Sequence, residues 1–592
     1  MNASFYRKVV YGSIIALLWL PLYYIGRPGE RVVTSDGTEA EGLVEIKGGK
    51  LVELRQANDL SQADLGEIDP TSESMKLATL GMRGVAINVL WTMANHYKKV
   101  EDFDNFAATV NQITLLAPNF VSVWEFQAHN ESYNVSVEYD HYRMRYAWVK
   151  KGADLLIRGT QYNRKDTRLL NYLSWFFGHK IGRSDEHKQF RELFRNDVDY
   201  HAKLNKFMRM DDPEIMGPAT AGQASSTQAA AEGKKKPDNW LVGRQWQLRA
   251  VDLVESGGVP IRGKSPVLFY SDAPMMRINF CKAIEEEGTL GTVAGTAWET
   301  AGKDWNRYGQ LPVPTSWGHD IQLGDMEKYQ ERLKELGEEL DKAAPGVREK
   351  IYAEKKAKLR PEEREAIDTP IEKRTNEQLS LSYEAESKLQ VTATEVADQS
   401  PLDSRRLAKT LAREFEETDT LIDRIDRYRG IVNFAYWRSR CALEQSPEAL
   451  AGRQLIYDAE KKFTEAELEA SKELYEKAWQ EWAKVYAKHP DMMNDNEAED
   501  LVEAIQQYKQ VLGQLDVKQL PDDFPLYPLL EAQQSSGSIT SKQAARTMIA
   551  KPAQTEEPKK DEPKKNEEPK PEEKKAEEPQ PGEEKKSEEP KP

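Results

Sequence analysis

The chain has 592 residues, 31% of them charged, a formal net charge of −16 and only two cysteines. That length holds two or three domains, and the acidic balance argues against a nucleic-acid partner outside some local basic patch. Cys281 and Cys441 lack metal-ligand spacing and read as buried thiols, able to pair only if the fold brings them together.

Residues 1–8 end in Arg7 and Lys8, and Val9 to Gly26 then carry no charge. That is just enough length, about 18 residues, to cross a bilayer as a helix. Its seven Leu and Ile residues favour insertion by roughly 2 to 4 kcal/mol. Bulky Tyr23, Tyr24 and Ile25 stand where signal-peptide cleavage needs small residues. The reading is an uncleaved single-pass anchor over 9–26 in the cell inner membrane, with 1–8 cytoplasmic and the body extracytoplasmic.

Residues 27–73 form a polar linker, in which Leu43 to Lys47 and Leu51 to Leu54 on either side of Gly48-Gly49 suggest a short hairpin. Asp69 or Thr71 then offers a helix start. A first helical-repeat lobe is expected over 74–211. Val85, Val89, Leu90, Met93, Ala94 and Tyr97 recur three or four apart, and Phe103, Phe106, Val110, Ile113 and Leu116 make a second stripe before Pro118. With Pro118 as the closing proline of a 34-residue unit, Leu90, Ala94 and Tyr97 fall at the large, small and aromatic positions of a tetratricopeptide-like repeat, while Phe106 stands where a small residue is expected. The stripes continue through Val123, Trp124, Gln127 and Ala128, then Tyr142, Tyr146 and Val149, then Leu169, Tyr172, Leu173, Phe176 and Phe177. Such units stack to share a core and leave a surface that grips a partner.

Trp124, Tyr133, Arg143 and Arg145 are the candidate partner contacts in this lobe. Trp91, Trp124, Trp148 and Trp175 read as repeat core, with the lining of a groove as the alternative. Arg143, Arg145, Lys150, Lys151 and Arg158 read as a solvated basic face, with a dock for an acidic partner or lipid headgroups as the alternative. His129, Glu131, Glu138, Asp140 and His141 crowd together without a His pair four apart or a nearby cysteine. They read as helix caps and a buried hydrogen-bond network with Asn130, Tyr133 and Asn134 rather than as a metal site.

The segment after Gly182 carries Phe190, Leu193 and Phe194 as the stripe of a surface helix, and 212–238 reads as a flexible loop. The lobe resumes over 239–322. Ser271 and Asp272 before Pro274 start a helix that Gly288 ends, with Val267 to Tyr270 extended ahead of it. The next helix puts Ala294, Trp298, Ala301, Trp305 and Tyr308 on one face. Gly288, Gly291 and Gly295 match neither dinucleotide nor Walker spacing and read as tight helix packing. Residues 323–425 form a charged helical hairpin or coiled coil. Met326, Tyr329, Leu333, Leu336 and Leu340 alternate by three and four, the turn falls at Pro345-Gly346, and Arg348 to Glu386 make the return arm. Leu407, Leu411, Phe415, Ile422 and Ile425 lead back to the body. A second lobe covers 426–530, with Ala478, Trp482 and Pro490 at tetratricopeptide offsets. The tail, 531–592, is rich in Lys, Glu and Pro and reads as disordered.

The run LAPNFVSVWEFQAHNESYNVSVEYDHYRMRYAWVKKGADLLIRGTQYN, followed by LSWFFGHKIGRSDEHKQFRELF, and the later blocks SPVLFYSDAP, TAWETAGKDWNRYG and YWRSRCALEQ resemble a family of uncharacterised, membrane-anchored, tetratricopeptide-like proteins of planctomycete bacteria. The resemblance covers about two thirds of the chain. Some members carry the label "iron-responsive element" protein; nothing in these residues supports iron binding, and the family supplies no catalytic residues to carry over.

The expectation is a mainly α, non-enzymatic scaffold of the cell envelope, anchored by one transmembrane helix and binding partner proteins without cofactor or metal. A self-associating structural protein that uses the hairpin to form homo-oligomers is the alternative. An envelope hydrolase with a site built from distant residues is the third reading.

Overall fold

The computed structural model of the protein describes residues 83–100, 102–218, 235–494 and 498–535, together with two strands and a few isolated helical positions before residue 83. Strand β1 (Glu30–Val33) pairs antiparallel with β2 (Val44–Lys47). The partner of Val44–Lys47 is therefore upstream, and Glu53 and Leu54 are helical. The β-branched Val32 and Val33 favour a strand, whereas the Leu and Glu of 51–54 favour a helix.

The first helical hairpin joins α1 (Arg83–Lys99) to α2 (Phe103–Leu116). Ala94, Phe106, Val110 and Ile113 are its core, with Ile87, Leu90, Trp91 and Tyr97 against them. Val85, Val89 and Met93 stay exposed, at 55%, 55% and 42%. Two apolar sets share helical spacing on α1, and only one can face α2. Asp102 caps α2 through the Asn105 amide at 3.2 Å, and α2 stops just before Pro118, whose carbonyl accepts the Trp124 indole N–H at 2.8 Å.

Helix α3 (Val121–His129) runs on into a π-helical turn, Asn130–Val135, and a 3-10 turn, Ser136–Glu138. It packs on α4 (Tyr142–Tyr162), where Gly152 lies flush against Ser132 and the Ala128 carbonyl, and Gly159 against the Trp124 ring. Helix α5 (Thr167–Trp175), capped by Asp166, likewise continues as a π turn, Phe176–Lys180. Helices α6 (His187–Asn196) and α7 (Val198–Leu204) come next. The base of the next loop is closed by β3 (Met216–Gly217) pairing with β4 (Lys236–Pro237), and 219–234 lie outside the described residues.

Helices α8 (Asn239–Glu255), α9 (Pro266–Glu286) and α10 (Gly291–Gly309) complete the first core. Helix α9 begins at Ser265-Pro266, a turn and a half earlier than Ser271-Asp272 suggested, so Val267 to Tyr270 are helical and Pro274 sits inside the helix. A proline fits the first helical position best, and Pro266 takes it. Gly288, in a left-handed turn at φ 82°, ends α9. The expected face of α10 is buried throughout. Trp305 bonds the Phe434 carbonyl at 3.0 Å and stacks on its ring.

After β5 (Val313–Pro314) and β6 (Asp320–Ile321), which pair antiparallel, the hairpin extends as α11 (Met326–Ala343). Its return arm is α16 (Arg405–Ile431), not 348–386. Leu336 and Leu340 meet Ala408, Leu411 and Ala412 across the seam, and the pairing is within one chain. Residues 348–386 have too few apolar groups for a second long stripe. Instead α12 (Val347–Lys358), α13 (Pro361–Asp368), α14 (Asn376–Leu389) and α15 (Ala393–Gln399) fold into a cap at the far end.

The chain then enters α17 (Phe434–Glu444), whose Phe434 and Cys441 belong to the first core. The second core begins at Leu443 and is built by α18 (Pro447–Thr464), α19 (Leu468–Lys488), α20 (Glu499–Gln514) and α21 (Tyr527–Ser535). Ala478 and Trp482 are buried there, with Gly452 flush against the Trp482 ring. Helix α21 carries ordered structure past residue 530, because buried Gln533 donates to the Met493 carbonyl at 2.7 Å. No helix among the described residues is long and apolar enough to cross a membrane, and most of the expected anchor, Val9 to Gly26, lies outside them.

Helix α6 is not a surface helix. Its Arg191 is 1% exposed and bonds Asp238 at 2.9 Å, Asn239 at 2.7 Å and Glu287, with Arg195 on the same Glu287. Asp238, placed by sequence at the end of a loop, is thus a core residue that also caps α8. Removing one member of a buried ion network leaves the others uncompensated. Arg191→Met is therefore expected to lower stability by about 3 to 5 kcal/mol, read as an earlier urea unfolding midpoint by tryptophan fluorescence. A loss below about 1 kcal/mol would show that Asp238 and Glu287 do not depend on it.

Candidate functional site

The two π turns sit on adjacent helices, and Tyr133 of the first and His179 of the second both meet Trp175. The rings of His129 and Tyr133 stack at 4.5 Å, Tyr133 and Trp175 at 6.4 Å, Tyr172 and Trp175 at 5.7 Å, and Trp175 and His179 at 5.3 Å. Tyr133, Tyr172, Trp175 and His179 are half-buried and His129 is exposed. A π turn inserts an extra residue into a helix and re-aims the side chains beyond it, a device common at functional positions. Here the turns keep Tyr133 and His179 in line with Trp175.

Cations surround the rings. Lys180 Nζ lies 4.1 Å from the centre of the Tyr133 ring, Lys98 lies over Phe126 at 5.7 Å, and Arg183 bonds Asn279 at 2.7 Å. Of the nearby carboxylates, Glu125 is held by both arms of Arg168, Asp272 by Lys264 and Asn171, and Glu186 by Arg145, while Glu186 and the exposed Asp185 also act on Lys180. Burial, then Arg183 and Lys264, hold His179 down to about 4. Burial, then Lys180 and Lys98, lower His129 as well. Lys98 and Arg183 are the exposed cations at the edge of this aromatic face, and Lys180 is buried.

Beside Trp175 a small pocket between α5 and α9 is lined by Asn171, Ser174, His179, Asp272 and Asn279. Ser174, His179 and Asp272 are the residue types of a nucleophilic triad, which needs nucleophile, base and carboxylate chained by hydrogen bonds. Asp272 instead accepts from Asn171 and Lys264, and the Ser174 hydroxyl has no hydrogen-bond partner among the described residues. The three side chains are therefore not chained as such a triad.

Of the residues singled out from sequence, Tyr133 lies on this face. Trp124 is core, stacked on Tyr162 at 5.8 Å. Arg145 is a clamp, bonded to the Tyr139 carbonyl and to Glu186. Arg143 is exposed, over the Tyr142 ring. Lys150 pairs with Asp197 at 2.6 Å, and Lys151 and Arg158 lie over Trp148 and Trp124, so the basic stretch is largely tied to its own lobe. His129, Glu131 and His141 diverge, onto Tyr133, onto Gln127 at 2.8 Å and onto the Arg143 amide as the cap of α4. Among the described residues no three His, Cys, Asp or Glu side chains gather as a metal site. Cys281 and Cys441 are free and share the first core, and burial pushes the Cys441 thiol up to about 12, which suppresses thiolate chemistry. Sequence reasoning missed Tyr172 and His179. Their signal was the spacing of three and four on either side of Trp175, which reads equally as core.

Because His179 is held neutral in the folded chain, protonation favours unfolding between its ordinary value near 6.5 and about 4. Stability from this group is intact above pH 6.5 and falls as pH drops toward 4, by roughly 2 to 3 kcal/mol. His179→Gln is expected to flatten that part of the stability-versus-pH curve relative to the parent chain. Parallel curves would contradict it. No family model and no curated protein matches the chain.

Proposed function

We propose that the protein is a membrane-anchored scaffold of the bacterial cell envelope that binds a partner protein through the aromatic face of α3 and α5. The single observation that carries this is the ladder of half-buried rings edged with cations. A core would bury such rings fully, and a solvated surface would not stack them. Half-buried aromatics beside cations are what interface hot spots are made of. Stacked helical pairs of the tetratricopeptide kind present such faces to extended peptides, and the apolar stretch Val9 to Gly26 supplies the anchor in this reading.

The structural alternative gave the hairpin the task of joining copies. Its seam is filled by its own two arms, α11 and α16, so the scaffold reading is preferred.

Cross-linking in intact cells, followed by detergent extraction and mass spectrometry, is expected to recover one or two stoichiometric partners. Tyr133→Ala with Trp175→Ala should weaken the purified full chain's binding to them by at least about 30-fold, the effect of one hot-spot contact of about 2 kcal/mol. Recovery of self-linked chains alone, or unchanged binding by the double variant, would refute the scaffold reading. Deleting residues 9–26 is expected to move the chain from the membrane pellet to the supernatant, and retention in the pellet would refute the anchor.

A further inference from the structure

The residues beyond Ser535 include a motif that the composition hides. Glu-Glu-Pro-x-Pro occurs three times, at Glu567 to Pro571, Glu577 to Pro581 and Glu588 to Pro592. Each copy joins two adjacent carboxylates to two prolines one residue apart, and proline-rich segments favour the extended polyproline-II form, which docks on aromatic-lined surfaces because it costs little entropy to fix.

The aromatic face has the complementary chemistry. Tyr133, Tyr172 and Trp175 offer rings for proline, and the exposed Lys98 and Arg183 offer positive charge for the glutamates. Of the carboxylates nearby, Glu125 is paired with Arg168, Asp272 with Lys264 and Glu186 with Arg145. Reach is not limiting: extended chain from Ser535 to Glu567 can span about 100 Å at about 3.1 Å per residue. Three copies on one tether raise the local concentration of the motif far above that of a free peptide.

We propose that the aromatic face receives the Glu-Glu-Pro-x-Pro segments of this chain's own C-terminal region, which compete there with an outside partner. This rests on the reading of the face as a peptide-binding surface. Bound in cis, the tail is a tethered competitor, so an outside ligand must displace one copy while two others stand ready to return.

The test uses the full chain with Tyr172→p-benzoylphenylalanine, irradiated at low micromolar concentration and mapped by mass spectrometry. The expected product is an intramolecular cross-link from position 172 to residues 566–592. It should fall at least five-fold when the six glutamates of the motif are changed to glutamine, a variant that alters no residue of the described helices. A cross-link that survives those changes would overturn the charge-based recognition, and one only between two chains would overturn binding in cis. Cross-links in cells to another protein, with none to the tail, would overturn the tail as occupant while leaving the binding face intact. No cross-link to any protein or segment would overturn both.

Discussion

The indole of Trp240 comes so close to the backbone of the second π turn that a Cβ on Gly178 would stand 2.9 Å from it, and one on Gly182 2.5 Å. Only glycine permits that approach. Asn239, the neighbouring residue, donates to the carbonyls of Phe177 at 2.9 Å and Gly178 at 3.2 Å, satisfying acceptors that the π geometry leaves exposed inside the core. The turn is therefore pinned by α8 from behind, and the Trp175 and His179 rings stand where that pinning puts them. His179 in turn meets Trp240 edge-on at 5.4 Å, so one indole fixes both the backbone and the ring.

The same α8 segment is held by Arg191 through Asp238 and Asn239. A second buried network lies where the two cores meet. Glu444 bonds Arg453 and Arg440, and Glu285 of α9 faces the same Arg453. Burial holds Glu285 up to about 7 against the pull of Arg453, with the Glu444 carboxylate adding to the rise, whereas Glu444 stays below its ordinary value, despite burial, because Arg440 and Arg453 both serve it. Ion pairs out of water repay their desolvation only when each charge is fully coordinated. In the second network Glu444 is served by both arginines, whereas Glu285 stands 3.8 Å from Arg453 with its Oε1 unbonded among the described residues. The Arg191 network meets the condition across elements far apart in sequence.

That separation explains what the sequence could and could not disclose. The face of α10 was legible because alanine and aromatic residues alternate at one helical spacing and nothing else on the helix competes. On α1 two apolar sets share the same period, and the sequence cannot say which one α2 covers. The hairpin's outgoing arm was legible from its heptads, but the return arm was misplaced by proximity: pairing favours the longest matching stripe, and Leu411 to Ile425 provide it far downstream. Arg191 and Arg195 read as surface because charge usually marks exposure, and their acids lie on α8 and α9, beyond the reach of any local pattern. Of the aromatic face, Tyr133 and Trp175 were visible as residues, but their alignment depends on two π turns, which no residue pattern announces.

The cations beside the aromatic rings are held differently from those elsewhere in the first lobe. Most cations of the first lobe are consumed internally: Arg191 and Arg195 by Asp238 and Glu287, Lys150 by Asp197, Arg145 by Glu186. Near the rings the balance reverses, since there the carboxylates are the consumed partners and Lys98 and Lys180 lie over rings. A lysine over a ring is stabilised without being neutralised, because the ring quadrupole carries no net charge. Tyr133 thus steadies the charge of the buried Lys180, and Phe126 that of the exposed Lys98, without cancelling either.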